Sequence, residues 1–352
     1  CVMAKQCIGI DIGHHAIKLV QLKVGRRGEH TLQNFGIEPL PQQAIVDGSI
    51  MNHGAVTDAL RELKSRIHLK GTDVALAVSG RGVTIKKLKI PFMEEGLDEQ
   101  MEWEVQQNIP FSRDEVLVDH TVLVEQTPDG QMEVLLVAAK RDMVAEYIHV
   151  VRDAGFTASV VEPAAFAIQN AVDQAVGFAP GEIVGLVNVG AIHSSISVVL
   201  EGAPVFTRDI TKGGNTYTDA IMQKLGVSFD AGAAYKVGGS APGASDVVPH
   251  EVPSIISQVS QEIALEFQRS IDFFINDSVE GRLSRIFLTG GTALVSQLAQ
   301  AVQERARIPV HILNPFERTT IDERRWDMHY LQENAPVASA AFGLALRKVG
   351  DC

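Results

Sequence analysis

The stretch Cys7-Ile8-Gly9-Ile10-Asp11-Ile12-Gly13-His14-His15-Ala16-Ile17-Lys18-Leu19-Val20 carries an apolar run that stops at a glycine and two histidines and then resumes. In the resumed part Ile17 and Leu19 fall on one face and Lys18 and Val20 on the other, the period of two that marks a strand. Residues 7–22 are therefore predicted to form a hairpin. The same plan returns at 183–200. There Val187-Asn188-Val189-Gly190 aligns with Ile10-Asp11-Ile12-Gly13 at a spacing of 177 residues, again followed by a polar turn and an alternating strand, 195–200. A spacing of half the chain predicts two halves of related topology. A third glycine turn, Leu288-Thr289-Gly290-Gly291-Thr292, lies between a predicted strand, 285–289, and a predicted helix, 294–306.

The 352 residues suit two or three domains. With 45% hydrophobic and 21% charged residues and 30 glycines, the composition is that of an α/β globular protein and excludes disordered, collagen-like and coiled-coil chains. A formal charge of -12 repels polyanions, and the longest basic cluster is only Lys86, Lys87 and Lys89, so no nucleic-acid partner is expected. No apolar run reaches the roughly 18 to 20 residues that cross a bilayer, so a soluble chain is expected. Three cysteines make no disulfide framework and fit a reducing compartment.

Residues 83–162 break the duplication. A strand (83–90), a helix (94–108), two strands (116–125 and 132–139) joined by Thr127-Pro128-Asp129-Gly130, a helix (142–154) stopped by Gly155 and a strand (158–161) give the order βαββαβ, a small ferredoxin-like insertion. In the second half Gly213-Gly214-Asn215 precedes a helix at 216–225, and residues 238–253, rich in Gly, Ser and Pro, predict an exposed loop. The longest predicted helix, 254–276, carries Ile255, Val259, Ile263, Phe267, Ile271 and Phe274 at helical spacing. A last apolar helix is expected at 336–348.

A carboxylate just before a glycine turn suits phosphate and Mg2+. The glycine admits close approach of the backbone, turn amides donate to phosphate oxygens, and Asp11 can hold a hydrated cation. Two such hairpins facing one another make a clamp, and the third turn, ahead of a helix, suits a nucleotide.

These motifs resemble those of the superfamily of actin, heat-shock chaperones and sugar kinases. Gly9 to Gly13 resembles its first phosphate loop, Val187 to Gly190 its second, Thr289 to Thr292 its adenosine motif, and Val161-Glu162-Pro163-Ala164-Ala165 and Ala340-Ala341-Phe342-Gly343 its interdomain helices. Three further segments resemble the PilM family of type IV pilus assembly proteins. They are Trp103-Glu104-Val105-Gln106-Gln107-Asn108-Ile109-Pro110-Phe111, Phe206-Thr207-Arg208-Asp209-Ile210 leading to Gly213-Gly214-Asn215, and Glu266-Phe267-Gln268-Arg269-Ser270-Ile271-Asp272-Phe273-Phe274.

The resemblance implies an α/β fold, a bilobed actin-like ATPase with the βαββαβ insertion as subdomain 1C (83–160). Subdomain 1A would comprise 1–82, 161–181 and 336–352, subdomain 2A 182–212 and 260–335, and subdomain 2B 213–259. It implies ATP and Mg2+ as cofactors, with Asp11 facing Mg2+ through water. Gly13, His14, His15 and Lys18 would face the phosphates from one side and Gly190, His193 and Ser194 from the other. Gly213, Gly214, Asn215, Gly290, Gly291 and Thr292 would line the nucleoside pocket, Glu266 and Arg269 would reach the ribose or base, and Glu162 would lie near the attacking water. It further implies a protein similar to FtsA at the cytoplasmic face of the inner membrane. Such a protein binds the cytoplasmic N-terminal peptide of PilN between 1A and 1C, and links it to other inner-membrane and motor components of the pilus machine. Its membrane association is indirect, through that partner.

Two departures argue against fast turnover. His14 and His15 stand where relatives often carry small hydroxyl residues, and Asn188 stands where many carry aspartate, which removes a charge from Mg2+ and from the in-line water. Two other functions fit the same fold: a small-molecule kinase, which needs a base beside a substrate pocket, and an FtsA-like filament protein, whose family ends in an amphipathic helix after a linker, whereas this sequence reaches Asp351-Cys352 directly after the last predicted helix.

Overall fold

The computed structural model describes residues 5–239, 248–277 and 281–351. Part of the loop expected at 238–253 lies outside the described residues. The strands in chain order are β1 (Ile8–Ile12), β2 (Ala16–Val24), β3 (His30–Pro39), β4 (Ile45–Val46), β5 (Ser49–Ile50), β6 (Asp73–Val78), β7 (Val83–Pro91), β8 (Val116–Val124), β9 (Gln131–Lys140), β10 (Thr157–Pro163), β11 (Ile183–Val189), β12 (Ser194–Leu200), β13 (Ala203–Ile210), β14 (Arg285–Thr289) and β15 (Val310–Ile312). The helices are α1 (His53–Arg66), α2 (Leu97–Asn108), α3 (Arg141–Asp153), α4 (Ala164–Ala175), α5 (Gly214–Leu225), α6 (Phe229–Lys236), α7 (Val252–Asp277), α8 (Leu298–Ala306), α9 (Met328–Asn334) and α10 (Ser339–Ala345).

The duplication read from the hairpins extends to whole sheets. One runs β3-β2-β1-β6-β10 and the other β13-β12-β11-β14-β15. In each, the first three strands are antiparallel and the next two join in parallel. Asp11 pairs with Lys18 across one hairpin and Asn188 with Ser195 across the other, both residues of each pair 177 apart from their counterparts. The turns match as well. The Gly13 amide donates to the Ala16 carbonyl at 3.1 Å and the Gly190 amide to the His193 carbonyl at 3.0 Å, which leaves His14-His15 and Ala191-Ile192 as two-residue tips.

The matching order also locates the insertion. In the second sheet the chain passes β14, α8, β15; in the first it passes β6, then residues 83–140, then α3 and β10. The element order βαββαβ is present, but its members divide between two bodies. β7, β9 and β8 form their own three-stranded antiparallel sheet, packed with Met101, Val105 and Ile109 of the α2 region. β10 instead joins β6 in parallel, and α3 buries Val144, Tyr147, Val150 and Val151 among Ile10, Leu60, Leu63 and Leu76. The boundary expected at 160 thus falls beyond two elements of the first lobe. The module leaves and re-enters at one point, where the Lys140 amide donates to the Gly82 carbonyl at 2.8 Å. Helix α2 begins later than expected because Gly96, at its N-cap, is left-handed (φ +82°).

The two lobes meet along α4 and α10. Val20, Leu22 and Phe35 of the first sheet and Val184, Leu186, Val199 and Phe287 of the second share one core with Ile168, Ala171 and Val172 of α4 and Ala340, Ala341 and Phe342 of α10. The small residues of α10 let it pass between β1 and α4 at backbone distance. A Cβ at Gly343 would lie far inside contact distance of the Ala167 carbonyl, and one at Gly9 would strike the Ala341 carbonyl. Among the described residues no helix is long and apolar enough to cross a membrane.

Gly343→Ala is therefore expected to force α4 and α10 apart and to lower stability by about 1–3 kcal/mol or more, as overpacking does. Gly181→Ala, at a glycine of positive φ (+71°) with open space around it, separates that steric cost from loss of a glycine as such. Urea denaturation midpoints of both variants check it; a Gly343→Ala midpoint no lower than that of Gly181→Ala contradicts the close-approach argument.

Candidate functional site

The two hairpin tips face one another across a cleft of about 420 Å³, lined from both lobes and from the turn after β14. The His14 and His193 rings meet edge to face with centroids 5.6 Å apart. His193 Nε2 lies 3.0 Å from Asp47 Oδ1, so a residue of the second lobe is held by the β4–β5 turn of the first. That turn is built by Asp47 and Gly48, both at positive φ, as a two-residue hairpin loop requires.

Most of the expected residues converge here. Asp11, Gly13, His14, His15, Lys18, Asn188, Gly190, His193, Ser194, Asn215, Gly290, Gly291 and Thr292 all line the cleft. Several are already engaged. Lys18 Nζ lies 2.5 Å from Asp11 Oδ2, so an ammonium stands at the carboxylate expected to attract a cation. The Ser194 hydroxyl is buried and donates to the Lys212 carbonyl at 2.6 Å, and Thr292 Oγ1 donates to the Gly190 carbonyl at 2.8 Å. Gly290, at φ +85°, passes so near Asn188 that a Cβ would lie 2.5 Å from its Oδ1. Only glycine fits there. The amides of His14, His15, Ala191 and Ile192 take no acceptor among the described residues, so the tips present free donors.

Five of the expected residues stand elsewhere. Gly213 and Gly214 do not line the cleft; they seat α5 beneath the second hairpin. The Gly214 amide donates to the Gly190 carbonyl at 2.9 Å and the Asn215 amide to the Ala191 carbonyl at 2.7 Å, which satisfies helix N-terminal donors that would otherwise face a ligand. A Cβ on Gly213 would clash with the same carbonyls. Glu266 and Arg269, one helical turn apart on α7, pair with each other at 2.9 Å and stay outside the cleft. Glu162 is also outside it. Its carboxylate is buried and receives Arg347 Nε at 2.9 Å and Nη2. Burial pushes the Glu162 carboxyl up, against the opposing pull of Arg347. A residue so placed ties the segment after α10 to the first lobe.

Lys236 was not visible from sequence. It closes α6, a helix of small residues after Ser228, and lines the cleft. Among the described residues its Nζ finds only neutral acceptors, Thr218 Oγ1 at 3.3 Å and the Gly214 carbonyl at 3.4 Å. Burial lowers its pKa, which Asp219 at longer range opposes. A largely buried ammonium without a carboxylate partner favours an incoming anion, because desolvation has already weakened its hydration. Partial burial, and after it the charges of Lys236 and Lys18, lower the pKa of His15 as well. Among the described residues, no group of three or more His, Cys, Asp or Glu is placed to hold a metal ion directly.

Comparison with known proteins settles the family. A profile described as type IV pilus assembly protein PilM matches residues 9–349. The chain belongs to the PilM family. It is 25% identical, over 98% of its length and 99% of the other chain, to a structure titled PilM-PilN type IV pilus biogenesis complex, with a TM-score of 0.85. It also resembles the ethanolamine utilization protein EutJ from Carboxydothermus hydrogenoformans (15% identity, 97% and 89% coverage, TM-score 0.58). MreB 5 of Spiroplasma citri, solved bound to AMPPNP, is similar at 12% identity (96% and 94% coverage, TM-score 0.52). At those identities the last two establish the fold alone: the family member has the bilobed actin-like architecture with an inserted subdomain.

The cleft histidine yields a pH prediction. Burial first, then His193 and Lys18, lower the pKa of His14, and its Nε2 is buried without a partner among the described residues. The folded chain therefore binds that proton less readily than the unfolded chain. Its stabilising contribution is complete above about pH 6.5 and is lost as pH falls below it. The urea midpoint should drop between pH 7.5 and 5.5, and His14→Gln should make that drop smaller; an unchanged slope overturns the assignment.

Proposed function

We propose that this chain is an ATP-binding, cytoplasmic component of a type IV pilus machine that grips the cytoplasmic N-terminal tail of a PilN-like inner-membrane protein. On this reading it stands at the cytoplasmic face of the inner membrane and links that partner to the motor. The nucleotide part rests on one observation above all: the half-buried Lys236, with no carboxylate partner among the described residues, faces the same cleft as four unengaged turn amides. Cationic and amide donors directed into one concave space suit a polyphosphate. The residues fit Mg2+ in a limited way. Asp11 supplies a single carboxylate, so the ion would keep its water shell and draw its other ligands from phosphate. Lys18, freed from Asp11, would be left to meet a phosphate oxygen.

Binding rather than turnover is favoured because Glu162, the base expected near the water, is committed to Arg347, and Asn188 adds no charge. The partner part is supported by the near full-length likeness to a chain solved in a PilM-PilN complex. Exposed Trp103 and Phe92 on the inserted module supply apolar side chains for an extended peptide.

Mg-ATP at millimolar concentration is expected to raise the melting temperature of the wild-type protein. Asp11→Ala and Lys236→Met should each weaken ATP about tenfold or more, roughly 1.4 kcal/mol, and phosphate release should stay well below the roughly 1 to 100 per second of kinases. A wild-type protein indifferent to Mg-ATP would sink the clamp. Replacing residues 84–139 by a short Gly-Ser linker should preserve the melting-temperature rise with ATP and abolish calorimetric binding of a PilN-like tail peptide. Peptide binding that survives in the folded deletion variant removes the module from the mechanism.

A further inference from the structure

At the opposite end of β1 from Asp11, a half-open cavity of about 760 Å³ is ringed by Lys5, Lys23, Lys70, Arg325, Lys348 and His68. In a chain of net charge -12, such a concentration of cations costs free energy unless something offsets it. The carboxylates nearby are few and engaged. Lys5 pairs with Asp73, Asp351 accepts from the Lys348 backbone amide at 2.9 Å, and Asp322 accepts from Arg324 at 3.1 Å. Lys23, Lys70, Arg325 and Lys348 have no side-chain ion pair among the described residues.

Arg325 is held by a relay of neutral groups. Its Nη2 donates to Asn34 Oδ1 at 3.0 Å, Asn34 Nδ2 donates to Gln21 Oε1 at 2.6 Å, and Gln21 Nε2 donates to the Lys70 carbonyl at 2.8 Å. Asn34 is buried. The guanidinium also lies 5.7 Å from the centre of the Trp326 ring. A guanidinium oriented by amide groups, with Asp322 acting on it only at longer range, keeps its charge and its remaining donors for a ligand. The same relay fixes Lys70 at the rim.

We infer that this cavity is a binding site for a compact, multiply charged phosphate group, either on a free small molecule or on an exposed lipid headgroup. Several cations converge on one concavity from separate chain segments, the arrangement that meets an oxyanion from many directions at once; an extended acidic peptide calls for a continuous groove instead. The site lies apart from the cleft and shares no residue with it. It ties the edge of the first sheet to Arg325, from the segment between β15 and α9, and to Lys348 beyond α10.

The test uses the full chain carrying Trp103→Phe, which leaves Trp326 as its one tryptophan. Inorganic pyrophosphate, titrated at matched ionic strength, should change Trp326 emission saturably. Vesicles of phosphatidic acid, whose headgroup is a phosphomonoester, against phosphatidylcholine form a second arm and a hexaglutamate peptide a third. Lys70→Gln with Arg325→Gln should weaken the phosphate response ~10-fold or more, as loss of charge-assisted hydrogen bonds implies. Lys23→Gln, at an exposed side chain outside the relay, should weaken it without touching packing, and Asp11→Ala should leave it intact. A response to pyrophosphate assigns the free ligand, and one to phosphatidic acid vesicles alone assigns the headgroup. No saturable response in either arm, a response unchanged in the variants, one lost in Asp11→Ala, or tighter binding of hexaglutamate overturns the site.

Discussion

The whole arrangement depends on one steric condition, that α10 passes between β1 and α4 with no side chain in the way at Gly9 and Gly343. Backbone-to-backbone contact there lets the two sheets share a single core built on α4 and α10. Interiors packed to crystal density transmit such contacts stiffly. The spacing of the helices therefore sets how far the hairpin tips stand apart. Arg347, just past α10, adds a polar anchor by reaching the buried Glu162 at the end of β10. Loss of Arg347 would leave the buried carboxylate uncompensated, which accounts for an ionisable pair outside the cleft lining.

The cleft that results is electrostatically divided. Asp11 and Lys18 neutralise one another on the first hairpin, while Lys236 on the second lobe has only neutral partners among the described residues. The His193–Asp47 contact bridges the lobes near the same tips. A ligand carrying negative charge would meet Lys236 and the open turn amides together. The α5 N-terminus is withdrawn from that task, because the carbonyls of Gly190 and Ala191 already take its first donors.

The inserted module is a body of its own that also touches the second lobe, where β7 meets β13. It has its own small cores and one point of entry and exit. α3 and β10, by contrast, complete the first sheet, and α3 places Tyr147 near Asp11, where burial first and then that carboxylate raise the pKa of the phenol. A partner held by the module is thus only one element away from the cleft.

Local patterns determined a great deal. The broken apolar run at Gly13-His14-His15 and its echo at Gly190 were legible because hairpin turns and period-two alternation are short-range properties of the backbone. So was the meeting of Asn188 and Gly290, since each sits at the end of its own strand and the parallel pairing of β11 with β14 aligns those ends, whereas Asp11, on the other sheet, reaches them through the packing of the two lobes. Three things were not legible. The apolar stripe of α3 suits either the module or the first lobe, and only the choice of packing partner, made across some hundred residues of chain, assigns it. Glu162 lies in a motif that reads as a site, yet the fold brings Arg347 onto it from the far end of the sequence. Lys236 and the five cations of the second cavity are isolated in sequence and become clusters only when separate segments meet. Sequence fixes what each stretch can become because backbone sterics act locally; tertiary structure alone decides which buried charge finds a partner, because that depends on which distant group arrives.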